Sequence, residues 1–216
     1  MQINTAFFNQ DAASLARALL GKVIQHRYKG HWLAARIIET EAYYQDEKGS
    51  HASLGYTDRR RALFMPAGTI YMYYARGKDS LNISCQGEGN AVLIKSALPP
   101  ENISPAALKM MQKLNPTVSG EARAVEKLCA GQTLLCRALN IKVVDWDQQP
   151  FDAQRLFIDD TDYQPERIIQ APRLGIPAGR DEHLMLRFID PAYAKYCTRN
   201  PLTQRTTNYQ LSDKSC

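Results

Sequence analysis

The sequence predicts an α+β fold in one domain. Three observations carry this. Strand-like patterns crowd the first half, helix-like patterns follow Pro99, and one more strand pattern returns near the end in "EHLMLRFI". Alternating βαβ units would have produced the opposite bookkeeping of elements, and neither an internal repeat nor a low-complexity segment is present. At 216 residues the chain is long enough to bury a sizeable core, so residues 1–200 are read as one domain and 201–216 as a polar C-terminal tail.

The elements follow in order. Asp11 is placed to cap a helix over "AASLARALL", whose apolar residues Leu15, Ala18 and Leu19 recur with helical spacing before Gly21 ends it. "KVIQHRY" and "HWLAARIIETEAYY" are strands joined at Lys29-Gly30, a hairpin turn that pairs them antiparallel. Residues 45 to 62 form a polar loop long enough to have a function of its own. "TIYMYY" and "LNIS" are strands around the turn "ARGKDS", so residues 69 to 84 read as a hairpin with a cationic tip. "AVLIKSAL" is a buried strand with one anomaly, Lys95. Ser104-Pro105 caps and opens a helix over "AALKMMQKL", and "GEARAVEKLCAGQTLLCRALNI" has the spacing of one or two helices jointed at Gly131.

Composition narrows the function classes. No apolar run approaches the roughly 20 residues of a membrane span. The N-terminus lacks the basic and apolar regions of a secretory signal, so a cytoplasmic protein is expected, associated with the nucleoid if the source is prokaryotic. Five cysteines without a Cys-x-x-Cys pair suggest free thiols, and four histidines without ligand spacing argue against a bound metal. A net charge of +5 permits nucleic-acid binding. Its distribution is uneven, with Arg59-Arg60-Arg61 near the front and an acidic stretch at 145 to 166.

The segment "ARIIETEAYYQ" poses the central question, because a strand with buried character carries Glu39 and Glu41. Alternation sets Ile37, Glu39, Glu41 and Tyr43 on one side and Ile38, Thr40, Ala42 and Tyr44 on the other. An edge strand whose charges discourage aggregation explains this as well as a reaction site does. If it is a site, Glu41 is the better candidate for a base that activates water, since Tyr43 follows on the same face to wall a cavity. His51, Asn82, Tyr71, Tyr73 and Lys95 each have a plain structural reading beside a functional one. Only their order along the chain changes the weighing.

"RIIETEAY", "HASLGYTDRR", "MPAGTIYMYY", "LNISCQGEGNAVLIKSALP" and "LCRALNI" follow one another as in the alkyladenine (3-methyladenine, methylpurine) DNA glycosylase family, which the chain resembles over roughly residues 10 to 190. The resemblance implies a mixed, mostly antiparallel curved sheet with flanking helices and a protruding β-hairpin, related to the C-terminal domain of methionyl-tRNA formyltransferase. It implies no cofactor, and as substrate double-stranded DNA containing alkylated purines, acted on by a monomer. Glu41 matches the general base; Tyr43, His51 and Tyr73 match the rings that sandwich the flipped base. Asn82 matches the pocket-floor residue that disfavours the amine of normal guanine. Lys95 stands where the animal enzymes carry a water-positioning arginine. Thr57, Arg59, Arg60 and Arg61 are expected on DNA, with Arg60 a departure from an asparagine. Arg76 replaces the family's wedging tyrosine, so either it or Tyr74 fills the gap in the duplex. No lysine nucleophile belongs to the matched motif, so strand cleavage is not expected. Two competing readings are a noncatalytic nucleic-acid-binding module of the same fold and a glycosidase for small nucleosides.

Overall fold

The computed structural model describes residues 1–161, 163–203 and 209–213. Its axis is the long strand β2 (His31–Tyr43). Along one edge β2 pairs with β5 (Ala91–Leu98); along the other it pairs first with β1 (Val23–Tyr28) and then with β8 (Arg187–Ile189). Beyond β5 lie β4 (Lys78–Ser84) and β3 (Ile70–Ala75); beyond β8 lie β7 (Arg167–Ala171) and β9 (Gln210–Asp213), and β6 (Leu156–Asp159) flanks β1. The named strand pairs are antiparallel. The edge-strand explanation of Glu39 and Glu41 therefore fails, because both residues have neighbours on either side.

Among the described residues four α-helices, α1 (Ala12–Ala18), α2 (Pro105–Leu114), α3 (Gln132–Leu139) and α4 (Val143–Trp146), accompany the sheet. The main core joins Leu15 of α1, Met111 of α2 and Leu135 of α3 to Ile24, Ile37, Ile83, Ile94 and Phe188 of the sheet. Each such fully buried side chain contributes about 1.5–3 kcal/mol. Helix starts obey the caps read from sequence: Asp11 accepts from Ser14 N at 3.1 Å and Ser104 from Ala107 N at 3.2 Å, with Pro105 in the first turn.

Strict alternation along β2 breaks down. Ile37 pairs with Ala97, Glu39 with Ser96 and Thr40 with Ile94, which leaves Ile38 extra on β2 and Lys95 extra on β5. Ile37 consequently packs in the main core with Ala42, and Thr40 Oγ1 donates to Ala16 O of α1 at 2.8 Å, whereas Ile38 packs with Ile169 and Ile189 in a second cluster. Ile37 thus lies opposite Glu39 and Glu41, not beside them. The same irregularity lets consecutive residues of β5 face the carboxylates, Lys95 toward Glu41 and Ser96 toward Glu39.

Other boundaries shift too. The turn expected over "ARGKDS" is only Arg76-Gly77, both with positive φ (51° and 76°), and β4 starts at Lys78. A two-residue turn with left-handed central residues matches the twist of the flanking strands. Of the helical stretch expected from Gly120, only α3 is α-helical, preceded by a 3-10 turn at Val125–Lys127. The loop at 45 to 62 contains 3-10 turns at Ala52–Leu54 and Asp58–Phe64. Strands β6 and β7 fall in or beside the acidic stretch, where few apolar residues signalled them. Within the expected tail, Gln210–Asp213 pair with β7, while 204–208 and 214–216, including Cys216, lie outside the described residues. Cys85, Cys129, Cys136 and Cys197 are buried free thiols. Among the described residues no helix is long and apolar enough to cross a membrane, and no three His, Cys, Asp or Glu residues are grouped to hold a metal ion.

Candidate active site

Glu41 is completely buried near the end of β2. Its Oε2 accepts from Tyr43 Oη at 2.8 Å, its Oε1 accepts from Leu174 N at 3.1 Å, and Lys95 Nζ lies 3.3 Å from Oε1 and 3.4 Å from Oε2. A hydroxyl, a backbone amide and an ammonium thus converge on one carboxylate and fix its orientation. The Tyr43 phenol is held well above its ordinary value, first by burial and then by the adjacent Glu41 charge, so it stays a donor at neutral pH.

In front of this carboxylate opens a cavity of about 810 Å³. Tyr43, His51, Tyr73, Asn82 and Lys95 line it. Glu41 does not; it stands directly behind Tyr43 and Lys95. His51 and Tyr73 have ring centroids 4.5 Å apart with planes at 67°, and Tyr71, which also lines the cavity, lies 5.7 Å from Tyr73 with planes at 29°. His51 Nδ1 and Tyr71 Oη are hydrogen bonded at 2.9 Å. Although part of His51 is open to solvent at the mouth, burial and then the charges of Arg60 and Arg180 lower its pKa, so the ring is neutral at pH 7. Asn82, on β4, donates its Nδ2 to Tyr71 O at 3.2 Å, which fixes its amide on the floor of the cavity.

The cationic residues singled out in the sequence separate into groups. Arg76, exposed at the hairpin tip, lines the cavity, whereas Tyr74, 56% exposed, does not. Thr57, Arg59 and Arg61 are exposed around the 3-10 turn Asp58–Phe64, whose Leu63 lines the cavity, but do not line it themselves. Arg60 folds back, its Nε donating to Gly55 O at 2.8 Å and its Nη2 to Leu54 O at 3.1 Å. Its guanidinium braces the loop that carries Leu54 to the cavity rim, an assignment the sequence did not suggest.

With this geometry in view, comparison with known proteins is decisive. The family described as Methylpurine-DNA glycosylase (MPG) matches residues 6–194. The chain belongs to this family. A Pseudomonas aeruginosa protein (strain UCBPP-PA14) called "Putative 3-methyladenine DNA glycosylase" is 64% identical over 198 residues, covering 91% of this chain and 83% of that protein. A Pseudomonas fluorescens protein (strain Pf0-1) of the same name is 63% identical over 199 residues, 91% of this chain and 86% of that one. "DNA-3-methyladenine glycosylase" of Mus musculus is 34% identical over 201 residues, 87% of this chain and 58% of the mouse protein. As a member of the methylpurine-DNA glycosylase family the protein is a DNA glycosylase, a hydrolase of N-glycosyl bonds acting in DNA repair.

Several residues of this glycosylase site escaped the sequence reading. Leu174 supplies its backbone N–H, so its side-chain type carries no signal. Arg173 stacks its guanidinium on the Tyr43 ring, 4.5 Å from the centroid, and pairs with Glu47. Glu39 is buried with Arg187, whose Nε lies 2.6 Å from Oε1, and it also accepts from Ser96 and from Thr198 N. Arg187 Nη2 donates to Arg199 O at 2.7 Å, so this pair anchors Thr198 and Arg199 on the far wall of the cavity. The available signal was the arginine in "APRLG" and in "LRFI", each a charge inside an apolar or glycine-rich setting.

Proposed function

We propose that the protein flips alkylated purines of the 3-methyladenine type out of double-stranded DNA and hydrolyses their N-glycosidic bond, leaving an abasic site. The observation that carries this reading is a buried carboxylate, Glu41, bonded to Tyr43 and Lys95 at the back of a cavity walled by Tyr43, His51 and Tyr73. Glu41 acts as the general base. Water gives its proton to the carboxylate as its oxygen bonds the anomeric carbon; the bonding pair of the breaking C–N bond leaves with the base. A purine made cationic by alkylation departs as a neutral molecule, so no acid is required at the leaving group. The negative carboxylate also stabilises the oxocarbenium-like sugar. Lys95 holds the carboxylate and the water in place.

The energetics support flipping. Unstacking a base costs a few kcal/mol, less at a lesion. Stacking on aromatic rings returns about 1–3 kcal/mol per base, and neutral imidazole and phenol rings attract a cationic purine through their π faces. Asn82, its Nδ2 tied to Tyr71 O, stands on the cavity floor, where it disfavours the exocyclic amine of normal guanine. Arg76 fills the vacated stack, while Thr57, Arg59 and Arg61 meet the backbone, with Arg60 shaping their turn. The monomer is the proposed working unit.

The test is a duplex oligonucleotide treated with a methylating agent. Free methylated purine should appear, and strand breaks should appear only after alkali. Binding should weaken steeply as salt rises, because released counterions accompany phosphate contact. Tight binding without release of base would instead identify a noncatalytic module, and hydrolysis of free nucleosides with little salt dependence a small-substrate glycosidase.

A further inference from the structure

The Arg173 side chain is fully buried and does not line the cavity, yet it touches Tyr43, which does, and its neighbour in the chain, Leu174, lines the cavity too. Its guanidinium lies against one face of the Tyr43 ring, and Arg173 Nη1 donates to Ala42 O at 2.8 Å between the two reactive positions of β2. It pairs with Glu47, whose Oε1 accepts from Tyr44 N at 3.3 Å and whose backbone oxygen accepts from Ser50 N at 2.9 Å, so the ion pair ties down the approach to His51. The next residue in the chain, Leu174, gives its N–H to Glu41. Among the described residues the buried Arg173 Nε and Nη2 have no hydrogen-bond partner. The loops from 44 to 51 and from 172 to 181 are joined again where Arg180 donates to Lys48 O and Lys48 N donates to Asp181 Oδ2. That second clasp is exposed; the Arg173–Glu47 clasp is not.

From this geometry we infer that Arg173 is a positioning residue of the glycosylase reaction: it backs the Tyr43 ring and, through Leu174, sets the hydrogen bond that aims Glu41. The planar guanidinium is what the role requires. It covers the rear of the ring as a flat surface, leaving the opposite face for a base, and directs Nη1 to Ala42 O in the same plane. Lysine can keep the ion pair with Glu47 but offers neither the plane nor the fork. A displacement of about 1 Å at a reacting group costs on the order of 100-fold in rate, so loss of this support shows in the chemical step.

The inference rests on the glycosylase reading, and its test separates the two. Single-turnover base release from methylated duplex is compared for the wild type, Arg173→Lys, and the paired variant Arg173→Gln with Glu47→Gln. The paired variant removes both charges so that neither is buried alone. Affinity for a duplex with a stable abasic-site analogue and the melting temperature are measured alongside. The expected result is a single-turnover rate about 10- to 100-fold lower for both variants. Affinity for the abasic analogue, which has no base to stack on Tyr43, stays within about threefold, and Arg173→Lys melts close to the wild type. A wild type that releases base while both variants retain its rate overturns the inference alone. Recovery of the full rate by Arg173→Lys also overturns it, since charge would then suffice. Equal losses in rate and in abasic-site affinity would make Arg173 a scaffold residue and refute positioning. A wild type that releases no base overturns the glycosylase reading and this inference with it.

Discussion

Glu41→Gln preserves shape while removing the charge, and the structure fixes how the amide must sit. Two donors face the two carboxylate oxygens, Tyr43 Oη at Oε2 and Leu174 N at Oε1. A backbone N–H only donates, so the glutamine oxygen turns to Leu174; a hydroxyl can also accept, so Tyr43 rotates to receive the new NH₂. The hydrogen bonds survive in neutral form, each falling from about 1.5–3 to about 0.5–1.5 kcal/mol. Lys95 loses its counter-charge, but its side chain is 10% exposed at the cavity and can be hydrated there. Folding should therefore weaken by only about 1–3 kcal/mol. Chemistry should suffer much more. General-base catalysis supplies about 10²- to 10⁴-fold, which is roughly 3–5 kcal/mol of barrier at 1.36 kcal/mol per decade. Single-turnover release of base from methylated duplex, with enzyme in excess, reads this step without product release. A Glu41→Gln rate within fivefold of the wild type, in a protein that remains folded by circular dichroism, would refute the assignment of Glu41 as base.

Further outcomes follow from the same geometry. Arg76→Asn suits the left-handed first position of the hairpin turn better than arginine does, which costs about 1–2 kcal/mol there; thermal melting should rise while base release slows, and unchanged release would show that the Arg76 side chain is not the wedge. Arg187→Met leaves Glu39 as an unpaired buried charge and should destabilise by about 3–5 kcal/mol in urea titration, with much of the loss restored by adding Glu39→Gln. The pKa values of both His26 and His51 are lowered, chiefly by burial, below the ordinary 6.5. At these two sites the unfolded chain therefore binds protons first, so their contribution to stability is level above pH 6.5 and is lost as pH drops below it toward the depressed folded values. Melting temperatures followed from about pH 8 to pH 5 check this, and His26→Gln should flatten part of the decline. Asn82→Ala removes the amide at the cavity floor and should raise the release of unmodified guanine relative to methylated purine, measured by chromatography of the released bases.

Much of this protein was legible in order rather than in space. Alternation located β2 and β3, strand-like runs beside turns located β1 and β4, a near-continuous apolar run located β5, cap residues located α1 and α2, and the succession of short motifs pointed to the family and to Glu41, Tyr43, His51, Tyr73, Asn82 and Lys95 together. These signals are local: alternation, capping and turn chemistry are set by a few neighbouring residues. What alternation could not give was the break in its own rule. The extra residues Ile38 and Lys95 alter the ladder between β2 and β5, and only pairing with a strand more than fifty positions away reveals them. The short strands β6, β7 and β9 and the ion pairs of Glu39 with Arg187 and Glu47 with Arg173 depend on the same long-range closure, whereas β8 lies within the strand read from "EHLMLRFI". So does the fold-back of Arg60, which a run of three arginines conceals. The sequence by itself located strands β1 to β5 and β8 and helices α1 to α3, and it singled out the residues proposed for hydrolysis. Tertiary structure alone decided that Glu41 sits behind the cavity wall, held by Leu174 and Lys95, because burial and hydrogen-bond partners belong to the packed chain rather than to any stretch of it.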